Sequence, residues 1–201
     1  TSADSILSYA KKLENSTLRL SCDKTQFEKK SNKGSFGVLL EELYFFYKRN
    51  SLPEPDFPEA DLELKTGGLK KLKIGNRNLV NKEGKLNLSM VNYETISEES
   101  FEESQFLHKN KSLLLVFHLY DEKKNPLDKE IKIVGHWSIP KDDMLIIKSD
   151  WKMIKRKIEN GIDLHQCDGE YMDCMSKQGS HCFGLKGNYL KHIIYQLSSH
   201  K

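Results

Sequence analysis

Pro53 and Pro55 stand so close together that no helix continues through them, and they divide the chain into two kinds of pattern. Ahead of them, Gly37-Val38-Leu39-Leu40-Glu41-Glu42-Leu43-Tyr44-Phe45-Phe46 is dense enough in apolar residues to be a buried helix, ended by Asn50-Ser51-Leu52-Pro53. Behind them the period changes to two. Ala60, Leu62 and Leu64 alternate with Asp61, Glu63 and Lys65, which puts apolar side chains on one strand face and charge on the other.

The same periods organise the rest. Ser2–Leu13 carries Ile6, Leu7, Ala10 and Leu13 at helical spacing, with Ser2 or Asp4 as N-cap. Thr25–Gly34 is polar and lysine-rich and reads as a loop, and Gly67-Gly68 permits a turn. Lys85–Val91 is expected to be a strand with Leu86, Leu88 and Met90 on one face. Leu113–Tyr120 and Ile131–Trp137 are two more strands, joined by the hairpin-like Asp121–Pro126. Lys148–Asn160 predicts a helix with Trp151, Ile154 and Ile158 on one side and Gly161 past its end. A Gly- and Cys-containing loop and a terminal helix around Tyr189–Leu197 complete the chain. With no repeat, low-complexity tract or linker, residues 1–201 are expected to form a single domain.

Charge and composition narrow the class only a little. The 32 Lys and Arg against 29 Asp and Glu leave +3, which a solvated lysine-rich surface matches as well as a nucleic-acid binder does. The local clusters say more: Lys70, Lys71, Lys73 and Arg77, then Lys152, Lys155, Arg156 and Lys157. Collagen, coiled coil and wholesale disorder are excluded by the recurring aliphatic and aromatic blocks. The longest apolar run, Leu113–His118 with its flanks, falls far short of a membrane span, and Thr1-Ser2-Ala3-Asp4-Ser5 has no signal-peptide pattern. The four irregularly spaced cysteines are those of a reducing, cytoplasmic setting with free thiols. His165, Cys167, Cys174, His181 and Cys182 are zinc-type ligands, but without a C-x2-C pair they read as ordinary loop and core residues.

Chemistry concentrates in Pro55-Asp56-Phe57-Pro58-Glu59-Ala60-Asp61-Leu62-Glu63-Leu64-Lys65. One carboxylate follows a turn, and Glu63 and Lys65 share a strand face beyond it. Two carboxylates converging at a strand end are hard oxygen ligands suited to Mg²⁺, which keeps waters for a phosphate substrate. A lysine beside them can orient an attacking water while the metal stabilises the charge of the displacement. Taken alone, the pattern also describes an edge strand with a solvated charged face, and Asp61 competes for the Glu63 face.

Two motifs in combination, Lys33-Gly34-Ser35-Phe36-Gly37-Val38-Leu39-Leu40-Glu41 and Pro55-Asp56 … Glu63-Leu64-Lys65-Thr66, resemble the MutH and Sau-type GATC endonuclease family. Leu88–Glu94 and Phe106-Leu107-His108-Lys109-Asn110 look closer to its restriction branch. Asp150-Trp151 opening a helix, Gly169-Glu170-Tyr171-Met172, and Leu185–Lys191 as the terminal recognition segment are similar to both branches. Only the 13 residues Met172–Gly184 stand where the family is expected to carry a longer recognition loop.

The resemblance implies an α/β fold of the PD-(D/E)XK restriction-endonuclease type: a mixed central sheet flanked by helices, with two lobes around a DNA cleft. It implies catalysis by Asp56, Glu63 and Lys65 with Glu41 beside them. Mg²⁺ would be held by Asp56, Glu63 and the Leu64 carbonyl. Lys33 and Lys109 would serve the active cleft, and Lys177 and Tyr189 would read DNA. The implied activity is Mg²⁺-dependent, type II restriction-type hydrolysis of double-stranded DNA at GATC. The implied partners are DNA together with a second MutH-like domain or a second copy, and no membrane. A catalytically silent DNA-binding domain of the same fold and a MutH-like nicking enzyme are the alternatives.

Overall fold

The computed structural model of the chain describes residues 2–23, 34–47, 53–71, 79–165, 168–177 and 179–199. Lys33, Lys73, Arg77, Cys167 and nearly all of the Thr25–Gly34 stretch lie outside those residues, as does the side chain of Lys177. The first half contains α1 (Ala3–Lys11), α2 (Leu18–Ser21), α3 (Phe36–Leu39, continued by a π-turn Leu40–Tyr44), β1 (Glu63–Lys71), β2 (Leu79–Asn81) and β3 (Lys85–Met90). The second half contains α4 (Gln105–Asn110), β4 (Ser112–Leu119), β5 (Ile131–Ser138), α5 (Lys141–Glu159), β6 (Met172–Lys177), β7 (Ser180–Lys186) and α6 (Gly187–Ser199).

The apolar run of β4 is continuous because both its faces are buried. Leu113, Leu115 and Phe117 enter one core, Leu114 and Val116 the other. β4 is therefore an inner strand of a mixed sheet ordered β2-β1-β4-β5, parallel to β1 and antiparallel to β5. On one side α1 and α3 cover this sheet. Ser2 and Ser5 form a reciprocal capping box on α1, and Ile6 and Ala10 face inward. On the other side lie α5, α6 and an antiparallel sheet ordered β3-β7-β6, packed through Phe101, Phe106, Trp151 and Phe183. The result is a mixed sheet flanked by helices, as expected. Among the described residues no helix is long and apolar enough to cross a membrane.

Several local expectations are corrected. Gly67-Gly68 makes no turn but lies inside β1. A Cβ on Gly67 would stand 2.7 Å from the Phe117 ring, so glycine lets β1 and that ring approach closely. The α3 helix ends before the prolines, where Phe46 turns left-handed at φ 56°. In β3 a bulge between Asn87 and Met90 turns Met90 outward, away from the face of Leu86 and Leu88. Helix α5 starts at Lys141, directly after Pro140 with Asp142 and Asp143 in its first turn, so Asp150 lies inside it rather than at its opening. The supposed Gly/Cys loop is largely the β6–β7 hairpin, turning at Gly179 with φ 81°. Buried Cys174 and Cys182 belong to its strands, and burial pushes the Cys174 thiol up to about 12.

Candidate active site

A short closed loop builds the site. Phe57 N–H donates to Leu62 O at 2.9 Å and Leu62 N–H returns to Phe57 O at 3.2 Å, pinching off the 3₁₀ turn Pro58–Ala60. Asp61, at φ 50°, makes the left-handed corner that lets the chain return. The pinch sets Asp56 beside the first residues of β1. Asp56 N–H donates to Glu63 Oε2 at 3.0 Å, and Leu64 N–H donates to Asp56 Oδ2 at 3.0 Å. On the same strand face Lys65 Nζ donates to Glu63 Oε1 at 2.6 Å. Asp56, Glu63 and Lys65 are thus brought together. Asp61 is not: it precedes the strand and pairs outward with Lys111 at 2.9 Å, which removes it as a competitor for the Glu63 face.

Lys109 joins from α4. Its Nζ donates to Glu54 O at 3.1 Å and stands 3.8 Å from Glu63 Oε1. Glu63 is only 3% exposed, and this burial raises its carboxyl above the usual range. The Lys65 charge opposes that shift, Asp56 adds to it, and Lys109 opposes it again. The group is a buried carboxylate kept ionisable by two ammoniums.

Glu63, Lys65 and Lys109 line a cleft of ≈ 730 Å³ together with the segment Leu88–Glu94 and Gln105. The sequence marks Leu88–Glu94 only by its resemblance to the restriction branch and gives Gln105 no role, although Gln105 stands one helical turn before Lys109 and so shares its helix face.

The other expected site residues come from other elements. Glu41 sits in the π-turn of α3, a helix that packs on β1 with Gly37 against Thr66. Lys177 ends β6, paired with Ser180 across the hairpin. Tyr189 is 7% exposed, its ring stacked on Tyr171 at 4.1 Å, and its hydroxyl donates to Asp143 Oδ2 at 2.7 Å. In that position the ring serves the core and the hydroxyl is already engaged. Among the described residues no three of His, Cys, Asp and Glu gather as a metal cluster. Asp56 and Glu63 with a backbone carbonyl nevertheless match a hard cation that binds through one or two carboxylates plus substrate.

A mixed sheet whose inner strand begins with a carboxylate and a lysine, met by a second carboxylate from a pinched loop, defines a nuclease-type α/β protein of the MutH class. The model of the family described as DNA mismatch repair enzyme MutH matches residues 45–150, and the chain belongs to this family. It is also 31% identical over 202 aligned positions to the type II restriction enzyme Sau3AI of Staphylococcus aureus. That match covers 82% of this chain and 37% of the longer relative. The matched family segment contains Asp56, Glu63, Lys65 and Lys109 and stops short of Lys177 and Tyr189.

Proposed function

We propose that the chain is a single catalytic domain, residues 1–201, of a type II restriction-type endonuclease that hydrolyses phosphodiester bonds in double-stranded DNA. The observation that carries this reading is the meeting of Asp56, Glu63 and Lys65, the last two lining a cleft. The target GATC follows from the resemblance to the restriction branch.

Asp56, Glu63 and the Leu64 carbonyl would hold the cofactor Mg²⁺. Bound there, the ion supplies Lewis-acid stabilisation of charge growing on the phosphate and the departing oxygen. Lys65 holds the attacking water and its developing hydroxide charge. The Lys109 ammonium, on the same side of Glu63, faces the phosphate. Attack at phosphorus breaks the bond to the 3′ oxygen, leaving a 5′-phosphate and a 3′-hydroxyl. Glu41 supports the site from α3, while Lys33 would serve the active cleft and Lys177 would read DNA. Tyr189 reaches DNA only by giving up its bond to Asp143.

Because the chain spans about 37% of the relative's length, we further propose that it works beside a second MutH-like domain or a second copy on DNA, in the cytoplasm. Incubation with Mg²⁺ and unmethylated GATC plasmid tests the activity. Linearised or laddered plasmid with 5′-phosphate ends at GATC is expected. Intact plasmid in both Mg²⁺ and Mn²⁺ would leave the catalytically silent binding domain.

A further inference from the structure

The two walls of the cleft differ in chemistry. One carries Lys65 and Lys109, whose ammoniums attract phosphate. The other, Leu88–Glu94, contributes no cation and ends in the carboxylate of Glu94, which repels phosphate. Its exposed large hydrophobic side chains are the outward-turned Met90, 48% exposed, and Tyr93, 45% exposed. Apolar and aromatic groups beside a phosphate-binding wall match sugar and base surfaces rather than backbone charge.

This wall is anchored. Val91 N–H donates to His181 O at 2.9 Å, and the Tyr93 hydroxyl is hydrogen-bonded to His181 Nδ1. Asn110 Nδ2 donates to Ser89 Oγ at 2.9 Å, and Asn92 Oδ1 accepts from Glu94 N–H at 3.0 Å. The Tyr93 ring and the backbone that carries Met90 are therefore held in place before binding. Gln105 also lines the cleft, on the α4 face that carries Lys109. Gln105 is exposed, and its carboxamide has no hydrogen-bond partner among the described residues. A free carboxamide carries the acceptor and donor pair that matches N6 and N7 of adenine.

We propose that Gln105 reads an adenine beside the scissile phosphate, with Met90 and Tyr93 of the same cleft packing against the neighbouring bases. This inference rests on the endonuclease reading above, and its test separates the two.

Duplexes with a single base pair changed at each position around the cut would be compared by kcat/KM for the parent, Gln105→Ala and Met90→Ala. For Gln105→Ala, discrimination against replacement of one A·T pair should fall roughly 5- to 150-fold, the range of a single bidentate base contact. Discrimination at distant positions should be unchanged. The salt slope should also be unchanged, because no charge is removed. Met90→Ala should weaken discrimination at the same or the adjoining pair. Parental discrimination in Gln105→Ala, or a loss equal on every duplex, overturns the proposal. If the parent cuts none of the duplexes, the endonuclease reading fails. Competitive binding of the same duplexes in Ca²⁺ then decides the rim: lost A·T preference in Gln105→Ala upholds it, and unchanged preference or absence of binding overturns it.

Discussion

Asp56 and Glu63 are joined through each other's neighbouring backbone: Glu63 Oε2 accepts the Asp56 N–H, and Asp56 Oδ2 accepts the N–H of Leu64, the residue after Glu63, both at 3.0 Å. The carboxylates therefore have a structural task apart from chemistry, and the two tasks can be separated by substitution. Asp56→Asn retains an oxygen for Leu64 N–H but removes the charge. Its thermal melting point should stay close to the parent's while plasmid cleavage falls by roughly 10²-fold or more. A drop in melting and cleavage together would assign Asp56 to structure alone.

Lys65→Ala removes a charge beside the attacking water and leaves both carboxylates in place. Cleavage should fall roughly 10²–10⁴-fold. Affinity for GATC duplexes should change little, and its salt slope by about one unit at most. Gel-shift and plasmid assays on the same preparation measure both, and cleavage at the parental rate would remove Lys65 from the mechanism.

Glu63 gives activity and stability opposite pH dependences. Burial raises its carboxyl above the usual range, so between the ordinary Glu value and the raised one the folded chain binds more protons than the unfolded chain. This group's contribution to stability is full below the unfolded value and is lost as pH rises through the folded one. The ionised carboxylate is the form the chemistry needs, so cleavage should rise across that window. Urea unfolding of the metal-free protein across the acid range, parent against Glu63→Gln, isolates the stability part. An identical pH dependence in the two proteins would contradict it.

The site was more legible in the sequence than parts of the fold around it, for a physical reason. Asp56, Glu63 and Lys65 lie within one short segment, and the strand period alone aligns Glu63 with Lys65. Features set by distant partners were read wrongly. Gly67-Gly68 has the local signature of a turn, and only Phe117 on the neighbouring strand explains it as close packing. The surroundings of Tyr189 are likewise set from a distance, by Asp143 and Tyr171, which the packing of α5 and the hairpin strands brings against it. The β6–β7 hairpin is too short, and too mixed with Asp173, Ser176 and His181, for its period of two to stand out. Gln105 carried a usable signal, its one-turn offset from Lys109, but only the cleft gives that offset meaning.

Asp150 supplies a test of how the hairpin is held. From the middle of α5 its carboxylate accepts three backbone N–H groups, from Glu170 at 2.9 Å, Tyr171 at 2.8 Å and Met172 at 2.9 Å. It is 6% exposed, so those donors have little water to turn to. Gly169 makes the approach possible at φ 83°, where a Cβ would lie 2.3 Å from Met172 O. Asp150→Ala strands three donors at once, and the expected cost is roughly 3–5 kcal/mol, the range for breaking a buried charged network from one side. Asp150→Asn keeps one oxygen acceptor and should lose less. The distinguishing measurement is hydrogen exchange at Glu170, Tyr171 and Met172 alongside urea unfolding. Asp150→Ala should lose protection there beyond its global loss, while amides of β1 and β4 follow the global value alone. Equal loss of protection in all strands would mean that Asp150 stabilises the whole domain without a local hold on β6.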